Sequence, residues 1–315
     1  MKISRFFPLV GIAIFAYLLL NIDIGKMLQI LSRANIGLIL TMITLTTVTV
    51  LLKAYKWEVL VHLYDRSYPL KDSAKAWTMG FSLSLVTPGR LGDLSRAYYV
   101  KDRIGMGKGL TTVIIDRVID IAILFSLAIL GFLSFVTFFT EYSNLFLTVS
   151  VLFVIFILAV VVFTKKKLMK MIFKPVFYKI APKKHRSTIK MTFDEFYTGL
   201  DSVKKGKRNV ILSIMIGVLV WIISIIQYYL LAMAISLSVP FLFLLSIMPI
   251  ISLLDMLPIS FSGIGTRDAA MILFFSFISI GKEYAISLSL LILLFGYFMI
   301  GLVGAAFLLR GGRSK

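Results

Sequence analysis

The sequence predicts an all-α polytopic membrane protein, and three observations carry that prediction. Hydrophobic residues make up 59% of the 315 positions and charged residues only 16%, where soluble domains average about 45–50% and about 25%. The mean hydropathy is strongly positive. Leu145–Phe163 runs without a single charge, and an apolar stretch of more than roughly 18 residues marks a membrane helix.

Six segments are predicted to cross: Phe6–Leu20, Ile36–Leu52, Thr111–Phe139, Leu145–Phe163, Val210–Leu237 and Tyr284–Leu309. The first follows Lys2 and Arg5 and imitates a signal peptide. Asn21, Ile22 and Asp23 supply no small-residue cleavage pattern after it, so it reads as a retained helix. The first two segments are short and require snorkelling flanks or a thinned bilayer. Two further apolar stretches are broken. Ala76–Thr87 is closed by Pro88 and Gly89. Phe241–Leu257 is closed by Pro258 and followed by Gly263, Gly265 and the short run Ala269–Ile280.

Charge sets the orientation. Lys53, Lys56, Arg66, Lys71 and Lys75 precede Ala76–Thr87, and Arg90, Arg96, Lys101, Arg103 and Lys108 follow it. A helix of that length reaches only about 18 Å, short of a core of about 30 Å. It is therefore predicted to enter from the cytoplasm and return there. Irregular backbone at such depth requires surrounding protein or a water-filled cavity. The loop Lys165–Arg208 holds 14 Lys or Arg residues against Asp194, Glu195 and Asp201, which places it on the cytoplasmic side. An amphipathic helix is expected around Met191–Val203, and the loop as a whole to touch anionic headgroups. Docking of a nucleotide or a protein, such as a cytoplasmic synthase, is its alternative role. Six crossings put both termini in the cytoplasm, which suits Arg310, Arg313 and Lys315 at the end of the chain. Of the 34 basic residues only Lys26, Arg33 and Lys282 then fall in outside loops, with Arg267 inside the second broken stretch.

Composition excludes several classes. The net charge of +19 would suggest nucleic acid in a soluble protein. Here it follows from basic loops, and no basic segment carries a nucleic-acid reading motif. The chain has no cysteine, so disulfides, thiolate metal sites and cysteine nucleophiles are out. His62 and His185 are the two histidines, and both sit near basic loop sequence. No metal site is expected. No glycine loop followed by Lys-Ser/Thr is present, so no nucleotide cofactor is expected either.

The predicted topology contains an inverted repeat. Ile36–Leu52 runs inward, a re-entrant stretch follows, and Thr111–Phe139 returns outward. Val210–Leu237 runs outward, a re-entrant stretch follows, and Tyr284–Leu309 returns inward. Ile36 to Pro88 is 52 positions and Val210 to Pro258 is 48; Pro88 to Phe139 and Pro258 to Leu309 are both 51. The chain thus reads as a single transmembrane domain over 1–315, with repeats at 36–139 and 210–309 on either side of the loop 165–208. The breaks are alike in composition. Pro88, Gly89, Arg90, Gly92 and Asp93 form one. Pro258, Ser260, Ser262, Gly263, Gly265, Arg267 and Asp268 form the other. Paired Gly/Pro-interrupted segments in corresponding halves point to a transporter site; ordinary loops between short helices are the plainer alternative.

Charges lie inside this apolar sequence. Arg90, Asp93 and Arg96 are three apart, and Asp116 and Asp120, flanking Arg117, are four apart on one helix face. Asp255 sits alone among Leu253, Leu254, Met256 and Leu257. Each Arg or Asp at a helix centre costs roughly 2.5–3.5 kcal/mol to insert. These residues are therefore expected to pair and face the interior, either as a structural network or as a binding site. Free N–H groups at half-helix N-termini and the planar fork of arginine would suit a lipid phosphate.

Three patterns carry a family resemblance: Pro-Gly-Arg-Leu-Gly-Asp-x-x-Arg at 88–96, Asp-Arg-x-x-Asp at 116–120, and Pro-x-Ser-x-Ser-Gly-x-Gly-x-Arg-Asp at 258–268. In this order they resemble the lysylphosphatidylglycerol synthase transmembrane family. The resemblance implies flipping of an anionic phospholipid or of a polyprenyl-phosphate-linked lipid in the cell membrane. The family usually carries Glu where this chain has Asp93, Asp116 and Asp268, which keeps the charge and shortens the reach. A chain ending at Lys315 leaves no room for a soluble aminoacyl-transferase domain. The expectation is a flippase or scramblase whose headgroup site is Arg90, Asp93, Arg96, Asp116, Arg117, Asp120, Arg267 and Asp268, with no catalytic set. An intramembrane lipid-modifying transferase, and a non-transporting scaffold for a cytoplasmic synthase, are its rivals.

Overall fold

The computed structural model describes residues 7–134, 143–171 and 186–311. The predicted residues Phe6 and 135–139, residues 172–185 of the basic loop, and Arg313 and Lys315 lie outside these. Every regular element among the described residues is helical. In chain order they are α1 (Phe7–Leu20), α2 (Ile24–Ser32), α3 (Ile36–Val61), α4 (Leu70–Leu85), a 3₁₀ stretch (Pro88–Ser95), α5 (Arg96–Ile104), α6 (Met106–Ser134), α7 (Ser143–Phe163), α8 (Arg186–Lys205), α9 (Lys207–Ala234), α10 (Phe241–Leu254), α11 (Thr266–Ser276) and α12 (Lys282–Leu291). A π-helical stretch (Ile292–Phe298) then leads into α13 (Met299–Gly311).

Four of these are long and apolar enough to cross a membrane: α3, α7, α9 and the continuous run from Lys282 to Arg310. The 29 residues of α6 are long enough too, but Lys108, Asp116, Arg117 and Asp120 give it more charge than the others. The N-terminal region is bent: α1 and α2 together are long and apolar enough to form one broken span or a re-entrant loop. α1 and α2 meet at an elbow of 94°, where Asp23 caps α2 by accepting from the Lys26 N–H at 2.9 Å. The 14 residues of α1 rise only about 21 Å.

The second predicted crossing ends too early. α3 continues beyond Leu52 to Val61, so Lys53 and Lys56 are helix residues and not loop charges. The predicted helix around Met191–Val203 is α8, and it docks rather than floats. Phe196, Tyr197 and Leu200 are buried, Glu195 accepts from the Gly107 N–H at 2.9 Å and Thr111 donates to the Phe196 carbonyl at 3.0 Å. At the α1–α2 elbow Lys26 lies 3.5 Å from Glu283 and Lys282 donates to the Asn21 carbonyl. In the loop after α3, Asp65 accepts from Ser67 and Arg103, which holds its carboxyl down at about 2.

The core is apolar and continuous through α6, α9, α10, α11 and α12, with Phe243, Leu244, Ile247, Met271 and Phe275 fully or nearly fully buried. Where α4 meets α13 the helices touch backbone to backbone. A Cβ added at Gly304 would fall on the Thr78 carbonyl. Close approach over small residues is how helices associate in lipid, where no hydrophobic force drives them together. Gly304→Ala is therefore expected to destabilise the protein by about 1–3 kcal/mol, the usual cost of overpacking. A lowered thermal midpoint in detergent checks this; an unchanged midpoint contradicts the close packing.

Candidate functional site

The two helix breaks meet. α4 ends at Leu85, Pro88 opens the 3₁₀ stretch, and Gly89 and Arg90 follow in the left-handed region (φ 61° and 54°). Glycine adopts that region freely, whereas an arginine there is strained. The turn lets the chain fold back along α4, so that a Cβ at Gly92 would strike the Leu83 carbonyl group. In the second break Ser262, Gly263 and Gly265 have positive φ, and Ser260 and Thr266 share a hydroxyl hydrogen bond of 2.6 Å. Gly89 packs on Pro258: a Cβ at 89 would stand 3.2 Å from the proline Cβ. Ser262 donates to the Leu85 carbonyl at 2.9 Å, one of the acceptors that the end of α4 leaves free.

Around this junction the charges are sorted into two groups. In the first, Asp93 lies 3.8 Å from Arg96 and in contact with Arg117. Asp116 lies 2.9 Å from Arg96 and 2.9 Å from Lys56, and Lys56 also reaches Asp120 at 2.5 Å. Trp221 donates to Asp120 at 3.2 Å, and Arg96 lies over Trp57 at 5.3 Å. In the second group Asp255 accepts from the Tyr297 hydroxyl at 2.8 Å and lies 3.9 Å from Arg267. Arg267 donates to Ser289 at 2.8 Å and to the Ser262 carbonyl at 3.3 Å. Ser289 in turn donates to Asp268, whose other oxygen caps α11 by accepting from the Gly265 N–H at 2.7 Å.

Arg90 joins the groups. It turns away from its sequence neighbour Asp93 and lies 3.6 Å from Asp255. Arg90 and Arg267 both face the Tyr297 ring, at 4.9 and 5.3 Å. Asp255, isolated in sequence, is thus the shared anion of the second group. Tyr297 is carried on the π-helical stretch.

A small cavity opens between the breaks and α3, α6 and α9, lined by Lys53, Lys56, Arg90, Asp116, Arg117 and Asp120 together with Trp77 and Trp221. Of the eight residues the sequence singles out, Arg90, Asp116, Arg117 and Asp120 line it. Asp93, Arg96, Arg267 and Asp268 do not; they stand behind, fixing the others and the breaks. Sequence reasoning missed Lys53, Lys56, Tyr297 and the partners of Asp255. Lys56 is buried between two carboxylates. Lys53 lies near the Trp77 and Trp221 rings, at 5.7 and 5.5 Å, and no carboxylate among the described residues lies within ion-pair distance of it. Four cations against two carboxylates line the cavity. Asp93 and Asp255, behind the wall, pair Arg117 and Arg90, and Lys56 is held by the two lining carboxylates, so the excess charge is that of Lys53. In a water-poor interior it attracts an anion, and the arginine forks beside it suit phosphate oxygens.

Apolar spanning helices, broken ones that meet, and ionisable side chains gathered around a cavity define a multi-pass membrane protein. The chain belongs to the family described as Lysylphosphatidylglycerol synthase TM region, which it matches over residues 8–304. It is 29% identical over 308 residues to a UPF0104 membrane protein of Methanocaldococcus jannaschii, covering 93% of this chain and 89% of the relative. It is 23% identical to a UPF0104 membrane protein of Methanothermobacter thermautotrophicus (94% and 92% covered). It is 22% identical to another from Pyrococcus horikoshii (96% and 95% covered). No solved structure matches the chain.

Proposed function

We propose that the protein carries an anionic lipid headgroup between the leaflets of the cell membrane, with its phosphate seated in the cavity between the two helix breaks. One observation carries this reading: beside the Gly89–Pro258 junction lies a cavity with four cations and two carboxylates on its wall. Lys53, Arg90 and Arg117 face the phosphate. Arg96 and Arg267 are committed to carboxylates and hydroxyls and hold the framework. The family's lipid-related character supports the reading. So does the cost of keeping charge in a membrane, which binding sites and ion pathways justify.

The six-crossing inverted repeat supplies the motion. The segments 36–139 and 210–309 rock about the fixed junction and open the cavity alternately to each side. Both termini and the basic segment 165–208 face the cytoplasm, where that segment's lysines and arginines meet anionic headgroups.

Exchange of acyl-labelled phosphatidylglycerol between leaflets of reconstituted vesicles tests this. Wild-type protein is expected to accelerate exchange over protein-free vesicles. Arg90→Ala is expected to slow it about tenfold, the effect of losing roughly 1.4 kcal/mol of binding; Asp255 retains Arg267 and Tyr297. Equal rates in all three preparations would refute the proposal.

A further inference from the structure

The second break lies under α1. Glycine meets glycine there: the Gly11 carbonyl touches Gly265, and a Cβ added at Gly11 would stand 2.5 Å from the Ser260 Cβ and 2.7 Å from the Ile264 carbonyl oxygen. Ser260 beneath it is 2% exposed. Past the 94° elbow, α2 rests on α12. Ile22 and Met27 are buried with Ile286, and Leu18 of α1 and Ile272 of α11 pack against them. Two polar contacts complete the attachment, the Lys26–Glu283 ion pair at 3.5 Å and the bond from Lys282 to the Asn21 carbonyl.

These attachments can be undone. Between the backbones of α1 and the break only van der Waals packing acts in lipid, and glycine on both sides leaves no side chains to interlock. The Lys26 side chain is 52% exposed, and an ion pair so open to solvent is weak. The elbow is free to change its angle because each helix closes its own end. Asn21 donates to the Tyr17 carbonyl at 2.8 Å and Asp23 accepts from the Lys26 N–H; neither bond spans the turn. Ile12, Tyr17, Leu20, Ile24 and Leu28 are exposed on the outer face, so nothing among the described residues blocks an outward swing. We infer that α1 and α2 form a latch: α2, fastened to α12, holds α1 over Ser260–Gly265, and release of α2 bares the second break. Arg267 and Asp268 stand in the first turn of the helix that follows this break, so the latch also steadies one end of the second charge group. The inference does not rest on the lipid-carrier reading.

The chain has no cysteine, so one introduced thiol reports on one place. In the full chain in detergent, Ser260→Cys is expected to react slowly with a water-soluble maleimide, because local opening limits access to a buried group. Adding Lys26→Ala and Lys282→Ala removes both polar contacts of the latch and is expected to raise that rate about tenfold, the effect of losing roughly 1.4 kcal/mol. Ile264→Cys is a second reporter with the same expected response, should Ser260→Cys fail to fold. Ser213→Cys, fully buried in α9, is expected to stay protected with and without the two lysines. Equal rates at 260 and 264 in both backgrounds overturn the latch. So does a parallel rise at 213, which would mean that the whole fold has loosened. Labelling needs no lipid substrate, so its failure and the failure of lipid transport are read separately.

Discussion

Lys56→Met is expected to yield little folded protein, a larger loss of stability than Gly304→Ala causes. Lys56 is 2% exposed and reaches Asp116 at 2.9 Å and Asp120 at 2.5 Å. It also donates to the Asp116 carbonyl at 3.3 Å. Removing one partner of a buried ion pair strands the other in a medium that cannot solvate it, at about 3–5 kcal/mol. Lys56 serves two carboxylates, and native proteins are stable by only about 5–15 kcal/mol. Asp116 keeps Arg96, but Asp120 is left with the Trp221 N–H. Lys56→Met combined with Asp120→Asn removes the stranded charge and should recover most of the folded yield. Thermal unfolding and monodispersity in detergent read both variants. A wild-type midpoint for the single variant, or no recovery in the double, contradicts this account.

Lys53→Met, one helical turn away, is expected to do the opposite: fold normally and lose transport. No carboxylate among the described residues forms an ion pair with Lys53, and Asp120, which it attracts at longer range, keeps Lys56, so truncation strands nothing. Its two ring contacts are worth about 0.5–2 kcal/mol, and methionine replaces part of that packing. What disappears is the charge lining the cavity. A hydrogen bond to a charged group is worth about 1.5–3 kcal/mol, which corresponds to roughly a ten- to hundredfold loss of exchange rate. Arginine at 53 restores charge but not shape, and should recover only part of the rate. Unchanged exchange by Lys53→Met would remove this residue from the site; a collapsed midpoint would show it to be structural.

The contrast between these lysines explains what the sequence could and could not tell. The helix breaks were legible because proline, paired glycines and charge interrupt an apolar run in a way that ordinary loop sequence does not. Asp116, Arg117 and Asp120 were legible because a charge among Val and Ile has no inexpensive place in lipid, and Arg90 because it stands at the Pro88–Gly89 break. Lys53 and Lys56 were not, because they fall where an apolar run gives way to polar sequence. A lysine there is usually a snorkelling flank, and only the continuation of α3 to Val61 takes them inside.

Pairing was harder to read than position. Spacing brings Asp93 within reach of Arg90 and Arg96 equally, but the left-handed turn at Gly89 and Arg90 sends Arg90 across to Asp255. That partner lies in another part of the chain, and no local pattern announces it. Tyr297 was invisible for a different reason. An aromatic residue in an apolar helix is ordinarily core, and its role comes from where the π-helical stretch aims it. The 94° elbow after α1 was hidden because a short apolar run reads the same whether the chain beyond it continues straight or turns.

The wider winding of Ile292–Phe298 also has a mechanical meaning. A π turn holds one residue more than an α turn. Tightening it would swing whatever follows by about 100°, the angle one residue subtends in an α-helix. Tyr297 rides on that stretch, so such a twist would carry its ring away from both guanidinium groups and its hydroxyl away from Asp255 at once. A change of pitch, with every helix left whole, would thus undo the contacts that gather Arg90, Arg267 and Asp255 around Tyr297.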